Sequence, residues 1–127
     1  MTDRMQTEQL LRALYAARVD GQLDNLCSLF SPEAKFRISG SSDGKPIAIA
    51  TQGLGEIRPW LAMMVKTFKL GNYQILSMTI DGTRAAVHWR ADILSKITGA
   101  TAPTEMVDLI QTHNSRIESY VEFFVPS

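Results

Sequence analysis

From residue 73 onward the chain reads as β-strand almost without a break, and this lopsided distribution limits the possible folds more than any other feature. Residues 73–80 and 83–96 are rich in β-branched and aromatic side chains and flank Asp81-Gly82, a two-residue hairpin signal in which Gly can take a positive φ. Residues 98–103 form a looser turn, and 105–111 and 116–124 give two more strands joined through His113-Asn114-Ser115. A four-stranded meander of this kind has an apolar face to cover, so the cover must come from the residues that precede it.

Those residues are largely helical. Leu10, Leu11, Leu14 and Tyr15 recur at helical spacing and predict an amphipathic helix over 7–19, with Gly21 as its stop. Leu23, Leu26, Cys27 and Phe30 fall at i, i+3, i+4 and i+7 and predict a shorter second helix closed by Ser31-Pro32. Residues 34–39 and 46–52 form a small hairpin about the loop Gly40-Ser41-Ser42-Asp43-Gly44. Ile57, Leu61, Met64, Val65 and Phe68 make the stripe of a third helix, entered past Gly53 and Gly55 with Pro59 in its first turn and ended by Gly71-Asn72. Three helices and a hairpin followed by a meander define an α+β protein whose helices cover one face of the sheet, and 127 residues suit a single domain, 1–127.

Charge and cysteine content narrow the partners. Lys plus Arg and Asp plus Glu are 13 each, so there is no basic excess to hold a phosphate backbone, and nucleic acid is excluded as a partner. No apolar run has the length of a membrane span. The lone Cys27 has no disulfide partner, and residues 1–9 are polar instead of signal-like, which together point to the cytoplasm. Two histidines and one cysteine offer no metal-ligand spacing, and Gly53-Leu54-Gly55 is too short for a phosphate-binding fingerprint, so neither metal nor cofactor is expected.

Three stretches carry a family resemblance: YAARVDGQLDNLCSLFSPEAKF, GLGEIRPWL and RIESYVEFF. They resemble, respectively, the first two helices running into strand one, the entry to helix three, and the last strand of the SnoaL-like, or ketosteroid isomerase-like, proteins of the nuclear transport factor 2-like superfamily. The resemblance implies a cystatin-like cone, a curved antiparallel sheet wrapped around three N-terminal helices. It also implies an apolar pocket walled here by Phe36, Ile38, Trp60, Met64 and Phe68, a small apolar ligand, and a homodimer built on the sheet, with Trp89 and Phe123 supplying the apolar surface.

Period two on residues 83–96 puts His88, Arg90 and Asp92 on one face and Val87, Trp89 and Ala91 on the other. A polar stripe of this kind is a solvated surface in a half-buried sheet. The resemblance gives a second reading, in which the stripe faces the pocket. Epoxide hydrolases of the superfamily place an Arg-x-Asp pair on this strand and an acid on the last, matched here by Arg90, Asp92 and Glu122. Two carboxylates bridged by an Arg can have their proton affinities driven apart, one serving as acid and the other as base. Phe36 and Ile38 occupy the positions that hold the water in those hydrolases, and Ile38 also occupies the proton-shuttle position of the ketosteroid isomerases. The oxyanion-hole Tyr and acid of the latter correspond to Tyr15 and Glu105, while Tyr15, Asp20 and His88 match the outline of the family's dehydratases. The reading that follows is a cofactor-free isomerase, dehydratase or cyclase acting on a small hydrophobic metabolite, with Tyr15, His88, Arg90, Asp92, Glu105 and Glu122 as its polar groups. A non-catalytic ligand-binding or dimerisation module and an epoxide hydrolase-like enzyme are the alternatives.

Overall fold

A computed structural model describes residues 2–42 and 44–126, so Asp43 of the anticipated hairpin loop lies outside the described residues. Helix α1 (Asp3–Asp20) starts at Thr2, whose Oγ1 accepts the Met5 N–H at 3.2 Å. It ends where Gly21 turns left-handed, with φ 69°, so that the N–H groups of Gly21 and Gln22 bond the carbonyls of Arg18 and Ala17. This termination fixes Arg18 in the last turn of the helix, against the sheet.

Helix α2 (Leu23–Ser28) is shorter than its apolar spacing predicts, because Phe30 is taken into strand β1 (Phe30–Ser42) by pairing with Ile117. Strand β1 also runs through Gly40 and Ser41, expected as loop, before β2 (Lys45–Gln52) returns along it. Helix α3 (Leu54–Thr67) likewise stops before Phe68, which opens β3 (Phe68–Asp81) by pairing with Ser95, and the Lys96 N–H bonds the Thr67 carbonyl at 2.8 Å. Gly71-Asn72 therefore interrupts a strand instead of ending a helix: the β3 register shifts there and Asn72 has φ 48°. Strands β4 (Arg84–Ser95), β5 (Thr101–His113) and β6 (Arg116–Pro126) complete the meander.

All six strands share one curved sheet in the order β2-β1-β6-β5-β4-β3. The expected hairpin is thus part of the same sheet as the meander, joined to it by β1 and β6, which run parallel while every other pair is antiparallel. Inward side chains of the sheet, among them Phe36, Ile38, Val87, Trp89, Met106, Ile110, Ile117 and Tyr120, are buried with Leu11, Leu14 and Tyr15 of α1 and Ile57 and Leu61 of α3. Burying a large apolar side chain contributes about 1.5–3 kcal/mol, so this one layer is the main source of stability. No helix among the described residues is long and apolar enough to cross a membrane.

The β1–β6 junction is closely packed at Gly40, where a Cβ would lie 2.6 Å from both the Phe124 ring and its carbonyl oxygen. A backbone oxygen cannot move aside without breaking the ladder. Gly40→Ala is expected to cost about 1–3 kcal/mol, read as a lowered urea midpoint. An unchanged midpoint would contradict this packing.

Candidate functional site

The inner faces of β5 and β6 carry two acids among apolar neighbours, Asp108 and, directly across the ladder, Glu122. Both are buried, at 0% and 3% exposure. Isolated charges cannot be kept at such depth, so each acid must be paired, hydrogen-bonded or neutral. Among the described residues the one cation that reaches them is Arg18, from the last turn of α1. Its Nη1 contacts Glu122 Oε2 and its Nη2 donates to Glu122 Oε1 at 2.9 Å, a two-pronged ion pair. Its guanidinium carbon sits 4.9 Å from the centre of the Trp89 ring, a cation–π contact.

Asp108 is held differently. Tyr15 Oη and Tyr120 Oη each donate to its Oδ2 at 2.6 Å, and Trp89 Nε1 donates to the same oxygen at 2.8 Å. No donor reaches its other, buried oxygen, Oδ1, among the described residues, while the Glu122 carboxyl lies within side-chain hydrogen-bonding reach of the Asp108 carboxyl. Tyr120 Oη also stands 3.0 Å from Glu122 Oε2 and accepts Arg18 Nη1 at 2.9 Å. Tyr15 and Trp89 meet edge to face at 5.1 Å, and Tyr120 stacks on Phe36 at 5.6 Å, so the donors are set in a packed aromatic frame.

The charge count decides the protonation. Burial raises the affinity of both acids for protons, but the Arg18 charge and its hydrogen bonds reverse this at Glu122, which stays ionised below the usual carboxylate range. At Asp108 burial and the neighbouring Glu122 charge act together and outweigh Arg18, so its carboxyl keeps a proton well above the usual range. Burial and Asp108 also push the Tyr15 hydroxyl far up, and burial does the same to Tyr120, leaving both as neutral donors. The cluster is therefore neutral overall, with one ion pair and one protonated acid. Such an arrangement can give up a proton at Asp108 and hold the resulting charge on Oδ2 with three donors.

The anticipated residues divide between two faces. Tyr15 and Glu122 are in the cluster. His88, Arg90, Asp92 and Glu105 are on the opposite, outer face of the sheet: His88 pairs with Glu105 at 3.3 Å, Asp92 accepts from Asn72 at 3.0 Å, and Arg90 is exposed. The reason is physical, since Val87, Trp89 and Ala91 form the apolar side of β4 and must face the helices. The same orientation corrects the expected association surface, because Trp89 is fully buried and only Phe123 is exposed. Asp20, matched to the dehydratase outline, is exposed at the end of α1, and α2 begins after Gln22 without a side-chain cap bond. Of the expected pocket wall, Phe36 and Ile38 are buried and Met64 partly so, whereas Trp60 and Phe68 are more than a third exposed. Among the described residues a recess of about 30 Å³ near Thr7 and Thr112 and an open depression of about 600 Å³ near Lys35 and Glu118 lie away from the cluster.

Arg18, Trp89, Asp108 and Tyr120 were not anticipated as members of a site, yet two of them had a signal. Arg18 follows Leu11, Leu14 and Tyr15 on one helical face, and Asp108 alternates with Met106 and Ile110 on the buried side of β5.

The retained proton makes stability depend on pH. Asp108 holds its proton more tightly folded than unfolded, so it favours the folded state at low pH, and that contribution is lost as pH rises through its folded value. The melting temperature of the wild type should therefore fall relative to that of Asp108→Asn between pH 5 and 9. Parallel curves would show an ordinary, ionised Asp108.

Comparison with known proteins agrees with this architecture. Among solved structures, a Bacillus subtilis protein provisionally named an isomerase superposes with a TM-score of 0.83 at 17% identity, over 98% of this chain and 89% of its own. An LEH-like epoxide hydrolase from Mycobacterium tuberculosis gives 0.75 at 11% identity, over 95% and 84%. A hypothetical protein with a ketosteroid isomerase-like fold from Catenulispora acidiphila, solved with trimethylamine, gives 0.72 at 18% identity, over 91% and 85%. No curated protein matches the sequence significantly. The SnoaL-like domain model matches residues 11–120, a span that takes in the second half of α1, the six strands as far as Tyr120 and most of the buried cluster, and the chain belongs to the SnoaL-like family.

Proposed function

We propose that the protein is a cofactor-free acid–base enzyme of the isomerase, dehydratase or cyclase kind, acting on a small apolar metabolite, with Asp108 as its proton donor and acceptor. The observation that carries this reading is the asymmetry of the Asp108 carboxyl. Three donors converge on Oδ2 while none reaches Oδ1 among the described residues. The two oxygens are thereby made unlike, one held by donors and the other placed to give or take a proton. In the proposed chemistry Oδ1 delivers or removes the proton next to a carbonyl or a departing hydroxyl. Tyr15, Tyr120 and Trp89 then hold the carboxylate charge on Oδ2, and Arg18 keeps Glu122 from competing for the proton. The apolar surroundings of the cluster suit an apolar substrate, and substrate entry requires the helices to part from the sheet.

Full burial of the cluster, with neither hollow beside it, favours a second reading, a non-catalytic module in which the network only specifies the core. The two separate in one experiment: deuterium uptake, followed by NMR, at carbons next to the carbonyl in a panel of hydrophobic cyclic ketones. The enzyme reading expects uptake above the buffer rate for at least one ketone and a loss of about 10²–10⁴-fold in Asp108→Asn. Buffer-level uptake throughout supports the module.

The homodimer is part of the same proposal. Val107, Leu109, Phe123 and Val125 are 38–64% exposed on the outer faces of β5 and β6, and Val107 is the ladder partner of Phe123. An apolar patch of adjacent side chains is suited to self-association. A cytoplasmic setting fits the free, buried Cys27. Sedimentation at micromolar concentration should show a dimer for the wild type and a monomer for Leu109→Lys, whose change lies outside the core. A monomeric wild type would remove the dimer from the proposal.

A further inference from the structure

Positive charge and apolar exposure coincide where the end of α3 meets the turn between β4 and β5. From Ile57 to Ile80 the chain carries Arg58, Lys66 and Lys69 and no acid, and from Ile93 to Thr104 it carries Lys96 and no acid. The fold joins these segments. Phe68 pairs with Ser95 and Lys69 with Leu94, the Lys96 N–H bonds the Thr67 carbonyl at 2.8 Å, and Lys96 Nζ donates to the Val65 carbonyl at 3.3 Å. Lys66, Lys69 and Lys96 are therefore neighbours and all exposed, while the ion pairs among the described residues are made elsewhere. Asp20 borders them, since Gly21 lies against Val65, and is one acid to three lysines.

Apolar side chains of this end are held outward. In the turn after β4 the Ser95 N–H bonds the Ala100 carbonyl at 2.9 Å and the Gly99 N–H bonds the Ser95 carbonyl at 2.8 Å, with Gly99 at φ 77°. Ser95 Oγ accepts the Thr98 N–H at 3.3 Å, and Thr98 Oγ1 accepts the Ala100 N–H at 3.2 Å. Ile97 stands in this bonded turn at 80% exposure, so it projects from the surface instead of lining a groove. Phe68, across the ladder from Ser95, and Met63, a turn earlier on α3, are each more than a third exposed.

We propose that this end of the molecule lies on the surface of an anionic lipid bilayer, with Ile97, Phe68 and Met63 in the headgroup boundary and the three lysines at the level of the lipid phosphates. Apolar atoms at the tip with cations around them match the layering of that boundary, apolar within and anionic at its surface. A second copy of the chain fits poorly, because a twofold contact would set the three lysines against their own images. Nucleic acid fits poorly as well, since the most exposed group is an aliphatic side chain and not a stacking platform. The proposal does not depend on the assignment of Asp108, and either can fail without the other.

Co-sedimentation of the full chain with vesicles tests it. Vesicles of equal parts phosphatidylcholine and phosphatidylglycerol should bind the wild type at least about tenfold more tightly than phosphatidylcholine alone, and added salt should weaken the binding. Ile97→Asp, a change in a solvent-exposed turn, should weaken it about tenfold. Lys66→Gln and Lys69→Gln should each weaken it about fivefold, with Lys96 left to hold its carbonyl. No binding of the wild type to the mixed vesicles overturns the proposal, as does equal binding to phosphatidylcholine alone. Undiminished binding of Ile97→Asp places the lipid elsewhere and overturns it too; should that variant not fold, undiminished binding of the two lysine variants does the same. Wild-type self-association that Ile97→Asp abolishes would make the occupant a second copy, and tighter binding to a DNA duplex than to the mixed vesicles would make it a nucleic acid; each overturns the membrane reading.

Discussion

One cation shared between two buried acids governs the interior. Arg18 pairs with Glu122 through two contacts, and the account is then closed, because a second ionised acid on the neighbouring strand would leave net charge where water cannot reach. Asp108 must therefore hold its proton or be surrounded by donors, and it has arranged both. Several unrelated details of the chain serve this one condition. The left-handed turn at Gly21 stops α1 so that Arg18 falls over the sheet, and the β5–β6 register sets Asp108 opposite Glu122. A slip of one residue in either strand would send an acid to the outer face and strand the arginine. Loss of one member of a buried pair costs about 3–5 kcal/mol, a large part of the stability of a domain this size.

Aromatic side chains make the arrangement stiff. Tyr15 packs on Trp89, and Tyr120, Phe36 and Phe30 form a second group of ring contacts; three of the five also carry a hydrogen bond to Asp108, which joins the two groups. Donors fixed in this way are already oriented when charge appears on the acid, with no cost of rearrangement at that moment. The outer face of the sheet differs in kind. There His88 pairs with Glu105, Asp92 accepts from Asn72 and Arg90 is exposed, at a depth where charges interact weakly.

Much of the architecture could be read from residue order. The hairpin at Asp81-Gly82, the stop at Gly21 and the alternation along β4 are local signals that hold whatever surrounds them. The ends of α2 and α3 could not be read this way, since Phe30 and Phe68 fit a helical stripe and are claimed by distant strands, Ile117 and Ser95. The site was half legible for a similar reason. Tyr15 and Glu122 stood out by family likeness, but the choice of which face of β4 looks inward was made on the polar stripe, when the apolar side of Val87, Trp89 and Ala91 had the stronger claim to the core. Asp108 and Arg18 are single polar residues within apolar patterns, and their meaning appears only when α1, β5 and β6 are brought together across 90 residues and more of chain.

The parallel contact between β1 and β6 has a bearing on how the molecule comes to be folded. In the sheet β6 lies between β1 and β5, yet it is the last strand in sequence. Until it is in place the N-terminal hairpin and the meander are two separate pieces, each with an open edge and an uncovered apolar face. A chain emerging from the ribosome with β1 to β5 complete would still lack both the central strand and the acid that neutralises Arg18. Closure must then be a late event dominated by contacts distant in sequence, which makes folding slow and leaves the incomplete chain prone to pairing with its neighbours.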